Sequence, residues 1–167
     1  MLLTSDEVRN VLKNLEVEKK RLITDINKMS TYKVSLSEFG RVEEIKPKFD
    51  LIDTVESIAE IDRQVLKIRH DRNVFNATTF VEDTGMTVDE VLIRIAELSN
   101  LSSILERLCA NRDKERMTTL NKEPEYQYLN YNLDDVKRMY GEVENEKSNL
   151  QNKLDLLNAT VQFECNY

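Results

Sequence analysis

The stretch "TSDEVRNVLKNLEVEKKRLITDINKM", residues 4–29, decides how the chain is read. Thr4 with Glu7 three residues later is the pattern of a capping box, in which each side chain satisfies a backbone N–H that the first helical turn leaves free. Behind it, Val8, Leu12, Leu15, Lys19, Leu22, Ile26 and Met29 recur at alternating spacings of four and three. That is the a/d seam of a heptad, held for over three repeats and interrupted only by Lys19. About 25 helical residues reach roughly 38 Å at ~1.5 Å each. A helix of that length needs a partner along its seam.

Working outward, the same period returns. A second helix is expected from about Asp50 to Phe75, with Ile58, Ile61, Val65, Ile68, Arg72 and Phe75 on one face and Ile52 and Val55 extending it backwards. A third starts at Thr87, where Glu90 completes another capping box, and carries Val91, Ile95, Leu98, Leu101, Leu105 and Leu108 before fading near Arg116. A fourth starts at Asn132 with Asp135 at its third position, and its seam runs Val136, Tyr140, Val143, Lys147, Leu150, Leu154, Leu157 and Val161. Two stretches break the helical period. Tyr32, Val34 and Leu36 alternate with polar neighbours, as do Tyr126 and Tyr128 within Thr118–Asn132, beside the helix-ending Pro124. Two short strands pairing as a ribbon follow from this. The expected fold is mostly α: four long antiparallel helices, as a helical bundle or coiled-coil hairpins, with a short two-stranded β-ribbon, in a single domain over residues 1–167.

Composition agrees with long solvated helices. Charged residues make up 33% and hydrophobic ones 40%, with three Gly and two Pro. No apolar run has the length of a membrane span, and "MLLTSDEVRN" lacks the regions of a signal peptide. Cys109 and Cys165 make no disulfide framework, so a cytoplasmic protein with reduced thiols is expected. Cys109 reads as partly buried packing and Cys165 as part of a mobile terminus. Residues 1–75 hold 14 Lys/Arg against 14 Asp/Glu, whereas residues 76–167 hold 10 against 17. The acidic second half argues against a nucleic-acid partner. Lys19-Lys20-Arg21 reads as a solvated face supported by a Glu16–Lys20 pair.

The polar stretch between the second and third helices, "FNATTFVEDTG" (75–85), is where a motif would sit. Arg69, Arg72 and Asn76 share a helix face near its C-terminal end, with Asn73, Thr78 and Thr79 close by. Two readings stand: an anion- or ligand-binding clamp using Arg69, Arg72, Asn76 and Thr78, or a corner in which these groups cap the helix, Gly85 permits the turn and Thr87 restarts the chain. Lys19 and Lys147, inside the first and last seams, read either as charges that set register and oligomeric state or as side chains snorkelling to the seam's edge. Gly141 either permits close helix approach or is tolerated at about 1 kcal/mol against Ala.

"KIRHDRNVFNATT" (67–79), "MTVDEVLIRIAEL" (86–98) and "YQYLNYNLDDVKRMYGEVENEKSNLQNKLDLLNATVQFE" (126–164) together resemble the septicolysin-like family of small bacterial helical proteins. The resemblance implies an all-helical bundle that self-associates and supplies no mechanism. The family's name suggests a haemolysin, but the acidic second half lacks the basic amphipathic helix that membrane activity calls for.

No catalytic residues and no enzymatic activity are expected. His70 and Asp71 are helical neighbours pointing about 100° apart, so they share no ligand face. Glycine-rich phosphate loops, CxxC and HExxH are absent from the sequence, and no metal or cofactor is called for. The leading expectation is a self-associating structural or interaction protein, a homo-oligomer built through helix seams.

Overall fold

The computed structural model describes residues 1–117 and 125–166. It is mostly helical, with α1 (Ser5–Met29), α2 (Val42–Ile45), α3 (Leu51–Thr78), α4 (Val88–Cys109) and α5 (Leu133–Thr160). Two small antiparallel sheets accompany them: β1 (Leu2–Thr4) with β4 (Gln162–Glu164), and β2 (Lys114–Met117) with β3 (Glu125–Tyr128). The chain divides into two compact units, Met1–Phe75 with the segment from Asn158 onward, and Asn76–Leu157.

In the first unit the Thr4/Glu7 capping box forms as its spacing predicts: Glu7 N–H donates to Thr4 Oγ1 at 3.2 Å and Thr4 N–H to the Glu7 carboxylate at 2.8 Å. Asp50 does the same for α3, accepting from Asp53 N–H at 3.1 Å. Strand β1 leads into α1, and its partner β4 comes from the other end of the chain, in the register Leu3↔Phe163. Around this sheet lies the unit's core: Val8, Ile68 and Cys165 are almost fully enclosed, and Phe75 stacks on Phe163. The expectation of a mobile Cys165 is therefore wrong. Its backbone N–H donates to Met1 C=O at 2.8 Å, its own C=O accepts from the Met1 amine at 2.9 Å, and its side chain is 1% exposed.

The stretch with Tyr32, Val34 and Leu36 forms no strand; a 3₁₀ helix occupies Leu36–Arg41. Ser35 donates its hydroxyl to Glu38 at 2.5 Å and its N–H at 3.2 Å, a local capping box that satisfies the backbone without a neighbouring strand. On α3 the seam continues backwards through half-buried Thr54, leaving Ile52 and Val55 exposed. The heptad spacing from Ile58 lands on 54, and apolar character alone misassigned the face.

In the second unit α4 stops at Cys109 rather than fading near Arg116. Tyr131 donates its hydroxyl to Leu108 C=O at 2.8 Å and accepts from Asn111 Nδ2 at 2.9 Å, closing the helix end. Lys114–Met117 then becomes β2, so the ribbon is β2–β3, with Lys114 opposite Tyr128. The Lys114 ammonium sits 4.3 Å from the Tyr126 ring centre. Thr118–Pro124 of the expected strand region lies outside the described residues. The seam of α4 passes through buried Ser102 and not Leu101, which is 41% exposed, because the four-three alternation from Leu98 lands on 102.

Of the corner reading, the turn at Gly85 and the restart at Thr87 are seen within the second unit, where Thr87 and Glu90 form a capping box. Val81 N–H donates to Met86 C=O and Val88 N–H to Thr79 C=O, each at 2.9 Å. Gly85 has φ +67° and Asp83 φ +55°, left-handed values that glycine and, less often, aspartate adopt. Buried Val81 and Val88 anchor the turn on both sides. Lys153 of α5 donates to Glu82 C=O at 3.1 Å.

Candidate functional site

Helices α1 and α3 of the first unit meet through a ladder of charged side chains. Lys19 Nζ lies 2.5 Å from Asp62, and Arg69 lies 3.3 Å from Glu16. Glu16 thus pairs across to α3 rather than with Lys20 along its own helix. As the position falls from 19 to 16 on α1, it rises from 62 to 69 on α3. The next step brings Arg72 towards Arg9 and Lys13. There the alternation of sign fails: the three cations line one cleft, and none of them pairs with another across the helices.

Glu16 and Arg69 border this open cleft of about 330 Å³, lined also by Arg9, Leu12, Lys13 and Arg72. The helical period assembles it. Positions 9, 12, 13 and 16 share one face of α1, and 69 and 72 share one face of α3. Arg72 also occupies the a/d seam between Ile68 and Phe75, where it is half-buried, and it lines the cleft. Leu12, 8% exposed, provides the apolar floor. Two of the four cations have carboxylate partners: Arg9 with Asp6 at 2.8 Å and Arg69 with Glu16. Lys13 and Arg72 make neither an ion pair nor a side-chain hydrogen bond among the described residues.

The four residues singled out in the sequence therefore separate. Arg69 and Arg72 face the cleft, whereas Asn76 and Thr78 fall in the second unit and are not among the cleft's lining. Thr78 is the last residue of α3. Arg9, Lys13 and Glu16 escaped the sequence reading. Their signal is the spacing of charged residues beside the seam of α1, which is indistinguishable in one dimension from an ordinary solvated face.

His70 is exposed, and Asp71 accepts the Asn166 backbone N–H at 2.9 Å, tethering the segment after β4. The seam lysines are part-exposed and have acidic partners within their own unit: Lys19 with Asp62, and Lys147 with Glu144. Glu144 also accepts the Ser102 hydroxyl at 2.5 Å. Hydrogen bonds from Lys147 and then Ser102 hold its carboxyl below the usual carboxylate range. Among the described residues no group of His, Cys, Asp and Glu is arranged to hold a metal ion, and no helix is long and apolar enough to cross a membrane.

Compared with known proteins, the chain matches no family model, no curated protein and no solved structure.

Proposed function

We propose that the protein is a non-catalytic structural or interaction protein that self-associates through the end of its first unit remote from the β1–β4 sheet. One observation carries this reading: from Lys13 to Glu60 no residue is buried. The seam residues Leu15, Leu22, Ile26, Met29 and Ile58 are only half-covered there. Leu36, Phe39 and Ile52 are 90%, 72% and 71% exposed. Apolar surface concentrated in this way marks an interaction face rather than a free one.

In this reading α1 with α3, and α4 with α5, are antiparallel hairpins of the kind found in helical bundles and coiled coils. A two-helix hairpin covers each seam from one side only. The occupant we assign is a second copy of the same chain. Residues 1–75 balance 14 basic against 14 acidic side chains, so two such faces meet without net repulsion, whereas the acidic surplus lies in residues 76–167. The same surplus disfavours a nucleic-acid partner. The free thiols Cys109 and Cys165 suit a reducing, cytoplasmic setting. The septicolysin-like resemblance of residues 67–98 and 126–164 also implies self-association.

Size-exclusion chromatography with light scattering tests it. The wild type is expected as a defined oligomer at micromolar concentration, and the double variant Phe39→Glu, Ile52→Glu as a monomer with unchanged helicity. A monomeric wild type removes the proposal.

A further inference from the structure

We infer that the cleft between α1 and α3 binds the phosphate group of a small molecule, with Lys13 and Arg72 as its first contacts. The charge ladder carries the argument. Two successive steps, Lys19–Asp62 and Glu16–Arg69, match opposite charges across the helices. The next part of the pair places Arg72, Arg9 and Lys13 around one cleft, where Arg9 has Asp6 and neither Arg72 nor Lys13 has an acid among the described residues. Like charges facing each other across a helix pair oppose the packing, and a bound anion reverses the sign of that interaction.

Charge and shape narrow the class. With Arg9 and Arg69 offset by Asp6 and Glu16, two positive charges remain uncompensated. A phosphate monoester near neutral pH carries roughly −1.5 to −2, which answers that surplus. Arg72 offers a planar fork of donors and Lys13 a mobile point charge, the two complementary ways side chains grip phosphate. The volume, about 330 Å³, is at the small end of the ligand-site range of roughly 300–1,000 Å³, enough for a phosphate group and a small substituent. Leu12, the one apolar side chain of the lining, offers the uncharged part of an ester only a small apolar contact. Glu16 opposes the ligand, since an entering phosphate competes with its carboxylate for Arg69. That competition favours a dianion over a monoanion.

Isothermal calorimetry with inorganic phosphate, phenyl phosphate and citrate tests this on the full chain. The wild type is expected to bind the phosphates saturably and citrate at least about tenfold more weakly, a difference of ~1.4 kcal/mol. Tighter binding of phenyl phosphate than of inorganic phosphate assigns the site to an ester, and equal binding assigns it to the free ion. Both outcomes support the inference. Arg72→Ala and Lys13→Gln should each weaken binding about tenfold, and Glu16→Gln should strengthen it severalfold. Lys13 is exposed and without a partner among the described residues, so its variant reports binding rather than folding. The absence of saturable heat up to millimolar phosphate overturns the inference. So does equal affinity in wild type and Lys13→Gln, or citrate binding as tightly as phosphate. Molar mass is measured separately on each variant, so failure here leaves the self-association proposal to its own test.

Discussion

Phe163 of β4 stacks on Phe75 of α3, with ring centres 4.3 Å apart and planes 19° from parallel. This contact explains how a strand of three residues holds its place. Backbone pairing with β1 spans only Leu2–Thr4, and so short a ribbon is unstable without a core beneath it. Phe163→Ala removes the ring and leaves a cavity beside Phe75. A loss of about 3 kcal/mol is expected, the lower end for a buried phenylalanine because the site lies near the surface. Urea denaturation measures it. A change under ~1 kcal/mol would mean that β4 adds nothing to the stability of the first unit.

The same region protects a thiol. Cys165 is 1% exposed while Cys109 is half-buried. Burial, and then the Asp71 carboxylate, push the Cys165 thiol up, and the Met1 amine offsets this only in part. Native-state alkylation at pH 8 should modify Cys109 first, with Cys165 slower by at least about tenfold, since it reacts only when the sheet opens. Mass spectrometry of peptides over time reads both rates. In Phe163→Ala the rate at Cys165 should rise and that at Cys109 should not.

Local signals account for what the sequence revealed. Thr4/Glu7, Thr87/Glu90 and Asn132 with Asp135 announce three helix starts because a cap is a contact over three residues. The β1–β4 sheet went unseen because it joins residues about 160 apart through strands of three, with no alternation long enough to register. Tyr32, Val34 and Leu36 have the alternation but no partner, and the Ser35/Glu38 spacing, legible in retrospect, outweighed it. The cleft was half-legible. Arg69 and Arg72 were found on α3, but Arg9 and Lys13 join them only once the direction of α1 against α3 is known.

Gly141 separates two readings that the sequence left open. Among the described residues a methyl group built on its Cα meets nothing within 4 Å, so none of the described helices approaches closely there. What remains is the entropic penalty of glycine inside α5. Gly141→Ala should therefore stabilise the protein by about 0.5–1 kcal/mol, seen as a higher urea midpoint with an unchanged slope. Destabilisation would show that the backbone at 141 needs glycine for a reason other than space.

Glu144 links the seam lysine of α5 to the polar seam position of α4. Its carboxylate receives Lys147 and, at 2.5 Å, the Ser102 hydroxyl, and both hold its pKa below the ordinary value. The direction fixes the pH dependence. A carboxyl with a lower pKa in the folded than in the unfolded protein stabilises the fold above the unfolded value, about 4.3 for glutamate. That contribution is lost as the pH falls through the folded pKa. Glu144→Gln should melt below wild type at pH 7, and the difference should shrink as the pH approaches 3. Using the difference between the two proteins cancels the acid sensitivity of every other carboxylate. An NMR titration separates the causes. Lys147→Leu should move the Glu144 carboxyl back up towards 4.3, and Ser102→Ala should move it by less, because the ammonium is the larger influence. A Glu144 resonance that ignores Lys147→Leu would mean that the pair does not persist in solution, and the lysine would then be free to act at an interface between chains.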